Sequence, residues 1–177
     1  IDLPFAVPTL VTGVMLVALF GPQAALGAWL NDAWGWQLMF APPGIILALM
    51  FVSLPMVVRS VQGLLLEMDR DQEEAAVSLG ATGPTVFWRV LFPTILPGMA
   101  AGALLSFSRA LGEFGAVAVV AGNIPFYTQT AAVYVLGEVE GGRRASAGAM
   151  SVVLVTVSFV LVLAVEAWQN RRMKNAV

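Results

Sequence analysis

Four stretches of this chain stay apolar for about as long as a helix needs to cross a membrane, about 20 residues for a hydrocarbon layer of about 30 Å. They cover about residues 3–20, 44–61, 93–120 and 145–168. The expectation is an all-α polytopic membrane protein with about four transmembrane helices, forming one transmembrane domain over residues 1–177. Composition agrees: 59% of the residues are hydrophobic and 11% charged, where soluble domains carry about 25% charged residues. The sequence opens at Ile1, already inside the first apolar run, with no basic stretch and cleavage site before it. That opening predicts a fragment lacking the N-terminal part of a longer protein.

The chain has no cysteine and no histidine, which removes disulfides, thiolate chemistry, the commonest zinc ligands and the usual general base. No catalytic residue, metal or cofactor is expected, and no enzyme activity. A net charge of -2 gives no electrostatic reason to expect nucleic acid as a partner. Membrane lipid is the expected surroundings.

Residues 21–43, between the first two spans, read as a loop. Trp29, Trp34 and Trp36 within it suit an aromatic anchor at a membrane interface. Residues 123–144, with GNIPFYTQT and GEVEGG, read as a loop or short re-entrant segment. Arg59, Arg70, Arg89, Arg171, Arg172 and Lys174 fall on one side of the membrane, and only Arg143 and Arg144 on the other. The excess of positive charge makes the first side cytoplasmic, C-terminus included.

On that side lies a charged elbow, about residues 67–92, between the second and third spans. Asp71, Gln72, Glu73 and Glu74 occupy a first helical turn, where carboxylates complement the positive end of the helix dipole. Ala75, Ala76, Val77 and Leu79 continue the helix. Gly80 is placed as the left-handed residue after its end, and Gly83 and Pro84 read as N-cap and first residue of a second helix. Ala75 and Leu79, four apart, share a face on which another protein could approach the backbone closely.

The elbow also carries a resemblance. Glu74-Ala75-Ala76, three residues, Gly80, nine residues, then Val90-Leu91-Phe92-Pro93 is similar to the EAA motif of inner-membrane permease subunits in binding-protein-dependent ABC importers. Val90 and Phe92 stand where Ile and Leu usually precede the proline. IDLPFAVPTLVTG, LPMVVRSVQ, SRALGEFGAVAVVAGNIPF and AVYVLGEVEGG extend the likeness over nearly the whole chain, toward the T-type subunit of sulfate and thiosulfate permeases. RALGEFGA, GNIP and TQT are shared with molybdate permeases.

The resemblance implies the type I ABC importer (MetI-like) fold in a bacterial inner membrane. It implies pairing with a second, homologous permease, and a cytoplasmic ABC ATPase docked on the elbow through Glu74, Ala75, Ala76, Leu79 and Gly80. A periplasmic or lipid-anchored anion-binding protein would deliver the substrate. The chain has neither GxxxxGK[ST] nor GxGxxG, so ATP hydrolysis falls to another subunit. The substrate reading is sulfate or thiosulfate, with molybdate or tungstate as alternative; a passive anion channel would share the spans but have no use for the elbow.

Arg109 and Glu113 lie four apart inside the third apolar run, about 24 Å beyond Pro93 along a helix. A charge near the bilayer centre costs about 2.5 to 3.5 kcal/mol on insertion scales, so both should face the bundle interior. They form either an ion pair that fixes packing or a site of positive potential beside the translocation path. Gly112 and Gly115 would let a neighbour approach there. Pro4, Pro8 and Pro55 either kink spans or mark their ends, and Val152 to Val165 face lipid, with Glu166 and Trp168 at the interface.

Overall fold

A computed structural model of the chain describes residues 7–174, with side chains as far as residue 163. The described residues are helical with connecting turns. In chain order the helices are α1 (Thr9–Phe20), α2 (Ala25–Trp34), α3 (Pro42–Glu67), α4 (Asp71–Ser78), α5 (Gly83–Leu111), α6 (Gly115–Ala121), α7 (Ala131–Glu140) and α8 (Arg144–Lys174). By length and composition α3, α5 and α8 can each cross a membrane, and α1 with α2, bent by 56°, form a fourth candidate.

The expected first span therefore ends at Phe20 as read, while Pro4 and the rest of residues 1–6 lie outside the described residues. Pro8 is the N-cap of α1 rather than a kink within it. Pro55 lies inside α3 and is buried, and α3 continues six residues past the expected end. Its apolar surface carries over Arg59 to Leu64, Leu65 and Leu66. Helix α8 exposes Val152, Val155, Phe159 and Val160 as a lipid-facing surface would; the side chains of Glu166 and Trp168 lie outside the described residues.

One loop and one span differ from the sequence reading, and the stretch read as a loop or short re-entrant segment contains a helix. Residues 25–34 are a helix, not loop. Gly27 faces inward there, where a Cβ would run into the carbonyl oxygens of Phe20 and Gly21. Residues 131–140 are likewise helical, begun at Thr130. The third apolar run is not one helix, because α5 stops at Leu111 and α6 starts at Gly115.

The most extensive helix contact among the described residues is α3 against α5, and its cause is local. Gly98, Gly102 and Ser106, spaced four apart and all buried, form a stripe of small residues on α5. A Cβ on Gly102 would sit 2.7 Å from the Val57 Cα, and one on Gly98 2.8 Å from the Ser60 carbonyl oxygen. The backbones thus approach as small-xxx-small seams allow in membranes. Ser106 Oγ donates to the Ser53 carbonyl (3.0 Å) and Ser53 Oγ to that of Ser106 (3.4 Å), locking the register.

The seam runs antiparallel and continues through α6. Ile45 and Leu49 pack with Val117 and Ala121, so α6 carries the broken span onward toward the start of α3. The most completely buried side chains lie at that end. Leu16, Met39, Ala48, Ala116 and Val120 form one cluster, and Val117, Ala121 and Val133 another.

Candidate functional site

At the opposite end of α3 the chain turns into the elbow, and its helix forms for reasons visible in its residues. Asp69 Oδ1 accepts the Asp71 N–H at 3.1 Å, satisfying one of the unpaired donors at the start of α4. Asp71, Glu73 and Glu74 fill the first turn, next to the positive pole of the helix. At the other end the Gly80 N–H donates to the Val77 carbonyl (2.9 Å) and the Ala81 N–H to that of Ala76 (3.0 Å). This is the paired closure of a Schellman motif. It requires the left-handed backbone that Gly80 adopts at φ +84°, which costs other residues about 1–2 kcal/mol.

The next helix starts one residue earlier than expected. Thr82 is its N-cap, and Gly83 and Pro84 are its first two residues. The extended backbone of Thr82 accepts the Val86 N–H at 2.9 Å.

Helix α4 buries none of its residues. Glu74 and Ala75 are exposed, Ala76 is half-buried, Gly80 is exposed, and Leu79 is 89% exposed. The expected contact residues are therefore gathered on one short projecting helix whose largest apolar side chain has no cover from this chain. Between α4 and the elbow ends of α3 and α5 opens a cleft of about 730 Å³, with Glu73, Glu74 and Val77 on one side and Leu65, Met68 and Leu91 on the other.

Two features of the elbow lay outside the sequence reading. Residues Phe87–Leu91 form a turn of π-helix. Pro93 has no N–H to give the preceding turn, and the wider turn accommodates it; the Thr94 hydroxyl separately donates to the Val90 carbonyl at 2.7 Å. Phe87, Trp88 and Phe92 also form an aromatic cluster, with ring centroids 5.1 to 6.3 Å apart. The proline in the motif is the signal that could have found the first.

Arg109 lies about 40 Å along α5 from its start, with Glu113 just beyond the helix end, so the two groups of candidate residues are not brought together. Arg109 Nη1 is 2.8 Å from Glu113 Oε2. Glu113 lies past the end of α5, in the break, rather than on the same helix. Its other oxygen, Oε1, accepts the Ala116 N–H of α6 at 3.0 Å. One buried carboxylate thus ties the end of α5 to the beginning of α6. The Glu113 side chain is 1% exposed and that of Arg109 37%.

Of the two glycines flanking Glu113, Gly115 is the one that admits a neighbour. A Cβ there would lie 2.5 Å from Thr9 Oγ1, whereas Gly112 has only its own Arg109 carbonyl within reach.

A second ion pair, unread in the sequence, closes the corner between α7 and α8. Arg143 Nε and Nη2 donate to Glu138 Oε2 and Oε1 at 2.8 and 2.7 Å. The hydrogen bonds from Arg143 hold the Glu138 carboxyl below the usual glutamate range, and Glu138 in turn raises the guanidinium.

Comparison with known proteins bears on what this arrangement serves. The family model for the inner membrane component of binding-protein-dependent transport systems matches residues 1–175. The chain belongs to that family. Its fold is the MetI-like fold of ABC permeases. The chain is 44% identical over 170 residues to the sulfate transport system permease protein CysT of Synechococcus elongatus, covering 96% of this chain and 61% of that protein. It is 42% identical over 165 residues to a probable sulfate transport system permease protein of Nephroselmis olivacea (93% and 58%). With the sulfate transport system permease protein CysW of Synechocystis the identity is 40% over 171 residues (97% and 62%). The chain thus spans about three fifths of the length of the curated relatives it matches.

Proposed function

We propose that this chain is a transmembrane permease subunit of an ATP-driven importer of sulfate or thiosulfate, taking the anion from a binding protein to the cytoplasm. The observation that carries the reading is the exposed helix α4, bearing the EAA pattern and closed by Gly80, in a chain similar to sulfate permeases over more than nine tenths of its length. Glu74, Ala75, Ala76, Leu79 and Gly80 form the handle that a cytoplasmic ABC ATPase grips. The relatives' names include two kinds of sulfate permease, which supports pairing with a second, homologous subunit in the membrane. A periplasmic or lipid-anchored binding protein supplies substrate on the other side.

The excess of Lys and Arg at the elbow and tail supports a cytoplasmic elbow and C-terminus, in a bacterial inner membrane. Coupling is mechanical. Helix α4 is joined to α5 by the turn at Ala81 and Thr82, and α5 runs through the π-turn into the glycine seam against α3, so displacing α4 displaces both spans. Arg109 is turned from lipid toward the interior of the assembled transporter. Its side chain is 37% exposed in this chain, and a guanidinium at that depth cannot face hydrocarbon cheaply. It therefore faces the path or the second subunit.

The test is labelled sulfate uptake by cells producing this chain with its partner permease and ATPase, in the presence of competing thiosulfate, molybdate or tungstate, with reporters fused after Lys174 and near Gly141. The expected result is ATP-dependent uptake suppressed by thiosulfate, with the first reporter cytoplasmic and the second periplasmic. Suppression by molybdate alone would reassign the substrate, uptake without the ATPase would make the protein a channel, and a periplasmic tail would remove the handle.

A further inference from the structure

We propose that α2 is an interfacial helix whose Trp29 and Trp34, with Trp36 just beyond its end, lie in the lipid headgroup layer, at the end of the bundle opposite the elbow. The bent pair α1–α2 has three possible settings: a broken span, a re-entrant plunge, or a span that ends and a helix that lies on the membrane. The geometry selects the last.

Helix α2 has ten residues, about 15 Å at 1.5 Å per residue, and a bend of 56° leaves only about 8 Å of advance along α1. That is close to the thickness of one headgroup layer, about 5 to 8 Å between a core of about 30 Å and a full bilayer of about 40 to 45 Å. The chain also returns to the level it left. Phe20 at the end of α1 packs on the same cluster as Met39 and Phe40, just before α3. A small cavity of about 120 Å³ is lined together by Phe20, Pro22, Gly27, Asn31, Gln37 and Met39. A segment that leaves and returns at one level, with its helix directed onward along α1 rather than back, caps the bundle rather than crossing or re-entering the membrane.

The chemistry of the segment agrees. Asn31 and Asp32 are exposed on α2, and the backbone after Gly35 is non-helical as far as Pro42, an arrangement that open hydrocarbon excludes and a wet interface permits. The inward residue is Gly27, which holds α2 down on the end of α1. Trp29, Trp34 and Trp36 are each about 60% exposed. Indole pairs an apolar body with one N–H donor and concentrates at the headgroup level. The exposed apolar face of α1, with Leu10, Val14, Met15 and Leu19, leads directly to this edge, so lipid contact along α1 is continuous with lipid contact at α2. The proposal does not depend on the anion carried or on which side the elbow faces.

The test is depth-dependent fluorescence quenching on the assembled transporter in phosphatidylcholine nanodiscs. The chain has five tryptophans, and the difference in quenching between the Trp88→Phe, Trp168→Phe variant and the same variant with Trp29→Phe, Trp34→Phe and Trp36→Phe added isolates the three in question from the tryptophans of the other subunits. Lipid brominated high on the acyl chain should quench them at least about twofold more than lipid brominated near the chain end, as headgroup-level indoles require. Stronger quenching by the deep label would make α2 re-entrant. Quenching by neither label would mean that protein or bulk water covers the face, and either result overturns the proposal. If the double variant does not assemble, the difference in quenching between the native chain and a Trp29→Phe, Trp34→Phe, Trp36→Phe variant measures the same quantity and decides in the same way.

Discussion

Gly80 gives the sharpest test of the elbow, because its intramolecular and intermolecular roles separate. A Cβ built on it meets nothing within 4 Å in this chain, so a substitution creates no clash inside the subunit. What remains is the left-handed backbone at φ +84°, worth about 1–2 kcal/mol for a residue with a side chain. That is about a 5- to 30-fold shift in how α4 ends, on a helix that buries none of its residues, so the spans should still insert. If an ATPase seats α4, Gly80→Val adds a branched side chain at that contact as well. Gly80→Asn adds a side chain but tolerates the left-handed conformation.

The measurements are membrane insertion, ATPase copurification and uptake. Insertion should stay normal in both variants. Copurification should fall at least about fivefold in Gly80→Val, the lower end of the backbone cost alone. Recovery in Gly80→Asn would assign the effect to helix termination, and failure there too would assign it to close contact. Native copurification and uptake in Gly80→Val would refute the reasoning, since neither the backbone cost nor the contact would then matter to docking.

Gly102→Leu should split the α3–α5 seam, because its Cβ alone would stand 2.7 Å from the Val57 Cα; overpacking of this kind costs about 1–3 kcal/mol or more. A lowered melting temperature in detergent checks it, with Gly63→Ala, where a Cβ meets nothing within 4 Å, as the silent control. Glu138→Gln should lower the melting temperature at neutral pH. The native carboxyl is depressed, so its contribution is present above the ordinary glutamate range and lost as pH falls through the folded value. The two melting curves should therefore converge in acid; a difference that persists there would assign the loss to packing. Arg109→Gln leaves Glu113 buried without its ion, a loss of up to about 3–5 kcal/mol. Adding Glu113→Gln removes that charge while keeping an oxygen for the Ala116 N–H, so it should restore assembly, with sulfate uptake staying low if Arg109 lines the path and returning if the pair only packs.

The features legible in the sequence are those whose causes are local. The ends of α4 follow from Asp71, Glu73, Glu74 and Gly80, all within ten residues, and the long apolar runs announce α3, α5 and α8. Helix α2 was hidden because Gly21, Pro22, Asn31 and Asp32 punctuate it like a loop, and its reason for packing on the end of α1 lies in the space left by Gly27. The small-residue stripe at Gly98, Gly102 and Ser106 was readable from spacing alone. The Glu138–Arg143 pair was not, because five residues match no helical neighbour and the two meet only where α7 ends at Gly141.

The break after Leu111 shows why apolar length alone misjudges a span. Residues 93–120 are apolar enough for one continuous helix, but Gly112 and Gly115 each cost about 1 kcal/mol in a helix interior, and Glu113 between them gains more as the tie between two helices than as a member of one. Its carboxylate holds Arg109 on one side and the Ala116 N–H on the other. Helix α6 in turn touches α1, through Gly115 against Thr9 and Gly13 against Ala116. A charge arriving beside Arg109 would compete with Glu113 Oε2 for its guanidinium and free that end of the tie, while the bond from the Ala116 N–H to Oε1 would remain. A shift of Glu113 that followed would reach α1 through these close contacts. Packing and path are therefore not exclusive roles here: the pair sits at the joint, and the geometry that fixes the joint at rest is the geometry an anion would perturb.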